Sequence, residues 1–264
     1  MSTKMRTIYQ IDSFSTQIFK GNPAAVMILE EWLPDLIMQN IALENNLSET
    51  AFVVKEKGEW YIRWFTPLSE VDLCGHATLA AAHVIMSEEY LANDSIQFQS
   101  RSGILKVRKS LDQYIMNFPS DPPQQSNIKW DIEKGTGYKS SIFLKGKDDF
   151  LVVLENEDQI KNLKPDFQLI ADLPGRGLIV SAPGNESDFV SRCFFPQTGV
   201  PEDPVTGSAH CTLACYWSGR LGKNILEAVQ LSPRSGKLKV EFKDNRVFLY
   251  GSAVTFMKGI VRLL

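Results

Sequence analysis

Trp64-Phe65-Thr66-Pro67, Asp72-Leu73-Cys74-Gly75-His76 and Ala77-Thr78-Leu79-Ala80-Ala81-Ala82-His83-Val84 read as a strand, a loop and a helix of small residues. Phe194-Phe195-Pro196, Glu202-Asp203-Pro204-Val205-Thr206-Gly207-Ser208 and Ala209-His210-Cys211-Thr212-Leu213-Ala214-Cys215 read as a distorted second copy. Each loop carries acids and a glycine, and each helix is apolar nearly all round. A helix of that kind is buried on every side. In a chain this rich in strands, curved sheet must wrap it, and alanine, glycine and cysteine let the strands come close to its axis. A duplicated chain commonly holds its ligand between the copies, so the loops mark where a ligand would lie.

The order of elements around the two copies also repeats. A strand at Ala24–Leu29, a helix at Asp35–Asn45 and strands at Ala51–Glu56 and Trp60–Phe65 precede the first small-residue helix. Phe150–Leu154, Asp166–Asp172, Gly177–Ser181 and Phe189–Phe195 precede the second in the same order. Further strands are expected at Thr7–Asp12, Ser95–Gln99, Ile104–Val107, Tyr114–Phe118, Ala228–Leu231, Leu238–Phe242, Val247–Tyr250 and Ala253–Met257, from β-branched or aromatic content and alternation. A short helix fits Asp158–Asn162, and Lys57-Gly58 and Asp244-Asn245 read as hairpin turns. The expected fold class is α+β: two pseudo-symmetric halves, each a curved, barrel-like mixed sheet around a central helix, with the active site in the cleft between them. The polar, proline-rich run Pro119–Ser126 marks the boundary. Residues 1–118 then form the N-terminal half, with a final strand at 258–264 returning to it, and 119–257 form the C-terminal half.

The 264 residues, 44% apolar and 22% charged with a net charge of −3, suit a globular protein and give no basic patch for nucleic acid or an anionic membrane surface. No apolar run approaches the roughly 18 residues of a membrane span. The N-terminus lacks a signal-peptide core, so a cytoplasmic location is expected. The four cysteines, Cys74, Cys193, Cys211 and Cys215, then read as thiols. Cys211 and Cys215 beside His210 lack a second ligand pair at metal-site spacing. They read as small core residues, and no metal is expected.

Three segments could carry chemistry: Asn46-Leu47-Ser48-Glu49-Thr50, Gly75-His76, and Asp203-Pro204-Val205-Thr206-Gly207-Ser208. The last two open the buried helices, where free N–H groups and the positive dipole end favour an anion. The plain alternative is that Ser208 and Asp203 only cap a helix. Glu49 is either a surface charge or a general acid/base. Removal from water would lift its carboxyl from about 4.3 toward neutrality, as proton abstraction and return require. His76, at a helix N-terminus, is biased toward neutral imidazole. His83 reads as a core histidine. Arg234-Ser235-Gly236 is either a further anion contact or a turn.

Together, Phe19-Lys20-Gly21-Asn22-Pro23-Ala24-Ala25-Val26, Asn46-Leu47-Ser48-Glu49-Thr50-Ala51-Phe52, Phe65-Thr66-Pro67, Cys74-Gly75-His76-Ala77-Thr78 and Glu202–His210 resemble the signature of the phenazine biosynthesis PhzF-like family, in the same order over essentially the whole chain. The resemblance implies the diaminopimelate epimerase-like fold, no cofactor and a homodimer. It also implies a small-molecule carboxylate as partner, in a reaction similar to isomerisation of trans-2,3-dihydro-3-hydroxyanthranilate. By that likeness Glu49 is the catalytic acid/base, and His76, Asp203 and Ser208 support it. Asn22, Gly75, His76, Gly207, Ser208 and Arg234 bind substrate. Where related epimerases use two cysteines, this chain has Cys74 and Pro204, so a two-thiol mechanism does not fit; Cys74 stands as a secondary proton relay or a small buried residue. Arg234-Ser235-Gly236 departs from the Arg-Gly-Gly of many relatives. The alternatives are a racemase or epimerase of a small amino or hydroxy acid, and a non-catalytic metabolite-binding or interaction protein that kept the fold.

Overall fold

The computed structural model describes residues 4–87 and 94–263. The chain divides into two compact units, Met1–Asn117 with Tyr250–Leu264, and Phe118–Leu249.

In the first unit the strands are β1 (Lys4–Ser13), β2 (Asn22–Leu29), β3 (Glu49–Glu56), β4 (Glu59–Phe65), the two-residue β5 (Glu70–Val71), β6 (Ser95–Ser100), β7 (Gly103–Ser110) and β8 (Gln113–Pro119). The helices are α1 (Asp35–Asn45) and α2 (Gly75–Ser87). β2 and β3 pair in parallel, with α1 as the crossover, and β4 and β6 pair in parallel, with α2 as the crossover. β1–β2, β3–β4, β4–β5, β6–β7 and β7–β8 are antiparallel. The last strand of the chain, Ala253–Leu263, runs antiparallel along β1, from Ser13↔Ala253 to Lys4↔Leu263. It is one continuous strand, where the sequence suggests a strand at 253–257 and another at 258–264; residue 264 lies outside the described residues. Gly259 pairs with Ile8 without interrupting the ladder.

Both faces of β2 and β3 are buried, as strands between two helix layers must be. Against one face lies α1, whose Met38, Ile41 and Ala42 pack with Ala25, Met27, Leu29, Phe52, Val54 and Phe65. Against β1, β2 and β3 lies α2. Its residues His76 to Ala82, with Val84 and Ile85, are buried, as the all-round apolar pattern predicts. Close approach is visible at Gly251, where a Cβ would stand 2.4 Å from Phe14 and 3.2 Å from Leu79 of α2. The turn Lys57-Gly58 takes positive φ at both residues, as a tight hairpin requires.

In the second unit the strands are β9 (Gln124–Gln125), β10 (Phe143–Lys145), β11 (Asp149–Val153), β12 (Gly177–Pro183), β13 (Phe189–Phe195), β14 (Val200–Asp203), β15 (Ile225–Gln230), β16 (Gly236–Lys243) and β17 (Arg246–Gly251). The helices are α3 (Ile132–Thr136), α4 (Glu157–Lys161), α5 (Phe167–Ala171) and α6 (Gly207–Leu221). β11–β12 is parallel across α4 and α5, β12–β13 is antiparallel, and β13–β15 is parallel across α6. β13–β14 matches β4–β5, and β15–β16 matches β6–β7. The two units therefore share one internal topology, and the repeat legible in the sequence is a repeat of strand pairing. Ile160, Leu163, Ile170 and Leu173 cover Phe150, Val152, Leu178, Val180 and Phe194, the counterpart of the α1 layer. Asp244 and Asn245, between β16 and β17, both have positive φ. No helix among the described residues is long and apolar enough to cross a membrane.

Candidate active site

Glu49 is the first residue of β3, and the end of α1 places it. Asn46 closes α1 in the left-handed conformation, donating its N–H to Ala42, and asparagine is one of the few residues that adopts this cap readily. Asn45 Nδ2 donates to Thr50 Oγ1 at 3.0 Å, and the ladder with β2 starts at Ala24↔Glu49. The carboxylate is thus the end of a rigid strand, with its side chain 17% exposed.

Cys74 and His76 flank the first residue of α2. The carbonyl of Cys74 accepts from the N–H of Thr78 at 3.1 Å and from its Oγ1 at 2.6 Å. The carbonyl of His76 accepts from Ser13 Oγ at 2.8 Å, which ties the helix start to β1. Asn22, fully buried, pairs with Ser13 in the β1–β2 ladder.

These anchors bring Glu49, Cys74 and His76 together. His76 Nε2 lies 3.2 Å from Glu49 Oε2, and His76 Nδ1 lies 3.4 Å from Cys74 Sγ. One ligand atom from each of the three residues falls within 4.8 Å of the others. The imidazole is buried, and its Nε2 makes no hydrogen bond of normal alignment. Burial pushes the His76 imidazole down to about 3, so it is neutral at physiological pH. Both proton arrangements fit the heavy atoms: Cys74 donating to Nδ1 with Nε2–H facing the carboxylate, or Nδ1–H facing the sulfur with Nε2 facing a protonated Glu49.

In the second unit, Asp203 ends β14 and is nearly buried. Thr206 Oγ1 donates to Asp203 Oδ2 at 2.5 Å. Gln230 Nε2 donates to the Asp203 carbonyl at 2.6 Å, and Gln230 Oε1 accepts from Thr206 N at 2.8 Å. One buried amide therefore clamps both ends of the turn that leads into α6. The N-cap position of that helix is Thr206, whose side chain makes no capping hydrogen bond and whose hydroxyl is directed to Asp203. Ser208 is exposed, and its Oγ accepts from Arg176 at 2.8 Å. Arg176 also donates to both carboxylate oxygens of Asp149, through Nε and Nη2, and lies over the Phe195 ring. Gly207 is buried at the first turn, Gly75 is half-buried at the corresponding place in α2, and Arg234 is half-buried beside Ser235, whose φ is +56°.

Gln230, Arg176 and Asp149 were not among the residues singled out from the sequence. Gln230 had a detectable signal. It continues the inward row Leu226, Ala228 of β15, and a polar residue at an inward position needs an internal partner. Arg176 and Asp149 gave none, because they meet each other 27 residues apart.

Cys211 Sγ is directed at the Gly207 carbonyl, Cys215 Sγ at the Cys211 carbonyl, and His210 Nδ1 lies 2.7 Å from the Thr206 carbonyl. A cavity of about 570 Å³ lined by Trp130, Ser140 and Glu155 contains none of the expected site residues. It is open to solvent, and the Glu49–His76–Cys74 cluster is the better candidate for chemistry.

The sequence profile of the phenazine biosynthesis-like protein family matches residues 11–259. The chain belongs to that family. An uncharacterized isomerase of Pseudomonas aeruginosa is 48% identical over 255 residues, covering 97% of this chain and 98% of that protein. A crystal structure of a PhzF-family phenazine biosynthesis protein from Enterococcus faecalis is 46% identical, covers 98% of this chain and 100% of its own, and superposes with a TM-score of 0.95. The fold extends further, to a hydroxyproline epimerase of Agrobacterium vitis at 8% identity and a TM-score of 0.66, covering 98% of this chain and 93% of that one. Curated relatives of this phenazine biosynthesis-like protein are named isomerases, and it is an isomerase.

Proposed function

We propose that this isomerase moves a proton within a small carboxylate-bearing substrate, without a cofactor, with Glu49 as the acid/base. The observation that supports the reading is the buried contact of Glu49 with His76. As carboxylate, Glu49 takes a proton from a carbon acidified by the substrate's own unsaturated or carboxyl groups, and the electron pair is delocalised in the substrate. As carboxylic acid, it then gives the proton back at a second carbon within reach, so the enzyme is unchanged at the end of the cycle. A neutral imidazole 3.2 Å away can hydrogen-bond to the carboxylate as a donor, or to the carboxylic acid as an acceptor, without placing a second charge in a buried site. General acid/base catalysis of this kind contributes about 10²- to 10⁴-fold. Asp203, Ser208 and the amides of Gly75, Gly207 and Ser208 are assigned to holding the substrate, with Asn22 and Arg234 as further polar contacts.

Two-base epimerisation is the less favoured mechanism. It needs an acid on each face of one carbon, each about 3–3.5 Å from it. Glu49 and Cys74 present their reactive atoms within 4.8 Å of one another around a single imidazole, which leaves too little room for a carbon between them. Cys74 is better placed to exchange a proton with His76.

The test offers a panel of small cyclic and linear amino acids in deuterated water and follows deuterium incorporation by NMR. Exchange in the wild type that vanishes in Glu49→Gln, with the fold intact by circular dichroism, is the expected result. Exchange that survives Glu49→Gln and disappears in Cys74→Ala would transfer the base role to the thiol. A ligand that binds without any exchange would favour a metabolite-binding protein.

A further inference from the structure

We propose that Glu49, Cys74 and His76 also form a capture site for a thiophilic divalent cation, Zn²⁺ above all, and that the captured ion switches the isomerase off. The switching rests on the reading of Glu49 as acid/base; the binding does not.

Three observations carry the binding. First, the donor set is one sulfur, one nitrogen and one carboxylate oxygen, all within 4.8 Å of one another. Four-coordinate zinc holds sulfur at about 2.3 Å, and nitrogen and oxygen at about 2.0–2.2 Å, which places neighbouring ligand atoms about 3.3–3.7 Å apart. Closing to that spacing requires Cys74 Sγ to turn from His76 Nδ1, where it lies at 3.4 Å, toward the ion. Second, the backbones that carry the ligands are fixed by the Thr78–Cys74 and Ser13–His76 hydrogen bonds and by the β2–β3 ladder. The backbones that bear the ligands are therefore held in place. Third, His76 Nε2 is a buried polar atom without an aligned hydrogen bond. A buried polar atom of that kind calls for a partner, and a cation beside the carboxylate supplies one.

Thiolate and imidazole together select zinc over magnesium or calcium. Three protein ligands leave the fourth position to water. Coordination releases the thiol proton to solvent and occupies the Glu49 oxygen that would otherwise take the substrate proton. Activity then falls with free zinc and returns on chelation.

The test titrates chelator-stripped full-length protein with Co²⁺, a spectroscopic stand-in for Zn²⁺. The expected result is one equivalent bound, with a thiolate-to-cobalt charge-transfer band that Zn²⁺ bleaches. The band is lost in Cys74→Ala and kept in Cys215→Ser, the control for the half-buried thiol. In Glu49→Gln the affinity falls by at least about tenfold, the lower range for a weakened metal shell. A band that survives in folded Cys74→Ala, or an affinity unchanged in Glu49→Gln, overturns the site. Stoichiometric zinc with undiminished proton exchange overturns the switch, and with it Glu49 as the base, while the metal site itself stands.

Discussion

Replacing Gln230 by leucine isolates the clamp that holds the Asp203 turn. The two side chains are similar in size, so the change removes polarity with little change in volume. In the native protein the amide uses both ends, giving Nε2 to the Asp203 carbonyl at 2.6 Å and accepting Thr206 N at 2.8 Å. Gln230 is fully buried, Thr206 is 6% exposed and Asp203 is 9% exposed, so water does not readily replace the lost partners. Each backbone group left unpaired in such a place costs about 1–3 kcal/mol. Burying leucine in place of glutamine returns about 1 kcal/mol at the coefficient for apolar area. The expected net loss is about 1–5 kcal/mol, read as a lowered midpoint in urea denaturation followed by tryptophan fluorescence. Gln230→Glu should lose a similar amount, because its second oxygen would face the Asp203 carbonyl instead of donating to it. A loss below about 0.5 kcal/mol for Gln230→Leu, the size of an ordinary surface change, would show that the amide does not hold the turn.

Gly251→Ala drives a methyl to 2.4 Å from Phe14, whose ring is fully buried, and should cost about 1–3 kcal/mol by overpacking; a thermal melt within 1 °C of wild type would contradict this. Burial lowers the His210 imidazole to about 4, against roughly 6.5 in an unfolded chain. The unfolded state therefore binds more protons between those values, so the contribution is complete above about pH 6.5 and lost as pH falls toward 4, about 3 kcal/mol in all. His210→Gln should flatten that part of a stability–pH profile, and an unchanged slope would refute it. Arg176→Ala strands the buried Asp149 carboxylate and should cost about 3 kcal/mol, the low end for a broken buried pair because the guanidinium is partly in water. A denaturation midpoint restored by Arg176→Ala/Asp149→Asn would confirm that the stranded charge is the cause.

Much of this architecture was legible because it rests on local chemistry. Helix α1 begins and ends where the amphipathic pattern does, at Asp35 and Asn45. The two turns with paired positive φ fall on Lys57-Gly58 and Asp244-Asn245, sequences that tolerate that conformation. The small-residue helices are buried as their composition requires. What escaped depends on pairing across the chain. The two-residue strands β5 and β9 exist only through their partners, and the boundary drawn between 257 and 258 vanishes because the β1 ladder runs through it. At the site, Glu49 and His76 were visible as residue types in suggestive places, but their approach to 3.2 Å depends on β2, β3 and α2 meeting. Gln230 and Arg176 act on residues 24 to 32 positions away, beyond any local pattern.

The pairing of β1 with Ala253–Leu263 joins strands that lie on either side of the whole second unit in the chain. During synthesis, β1, β2, α1 and β3 leave the ribosome before the second unit, yet the strand that covers β1 follows it. The first unit therefore cannot complete its sheet until Ala253–Leu263 has emerged, whereas the second, uninterrupted from Phe118 to Leu249, has all its own residues beforehand. Newly made chains should thus carry an open β1 edge until that strand is made, and truncation within Ala253–Leu263 would injure the unit to which β1 belongs.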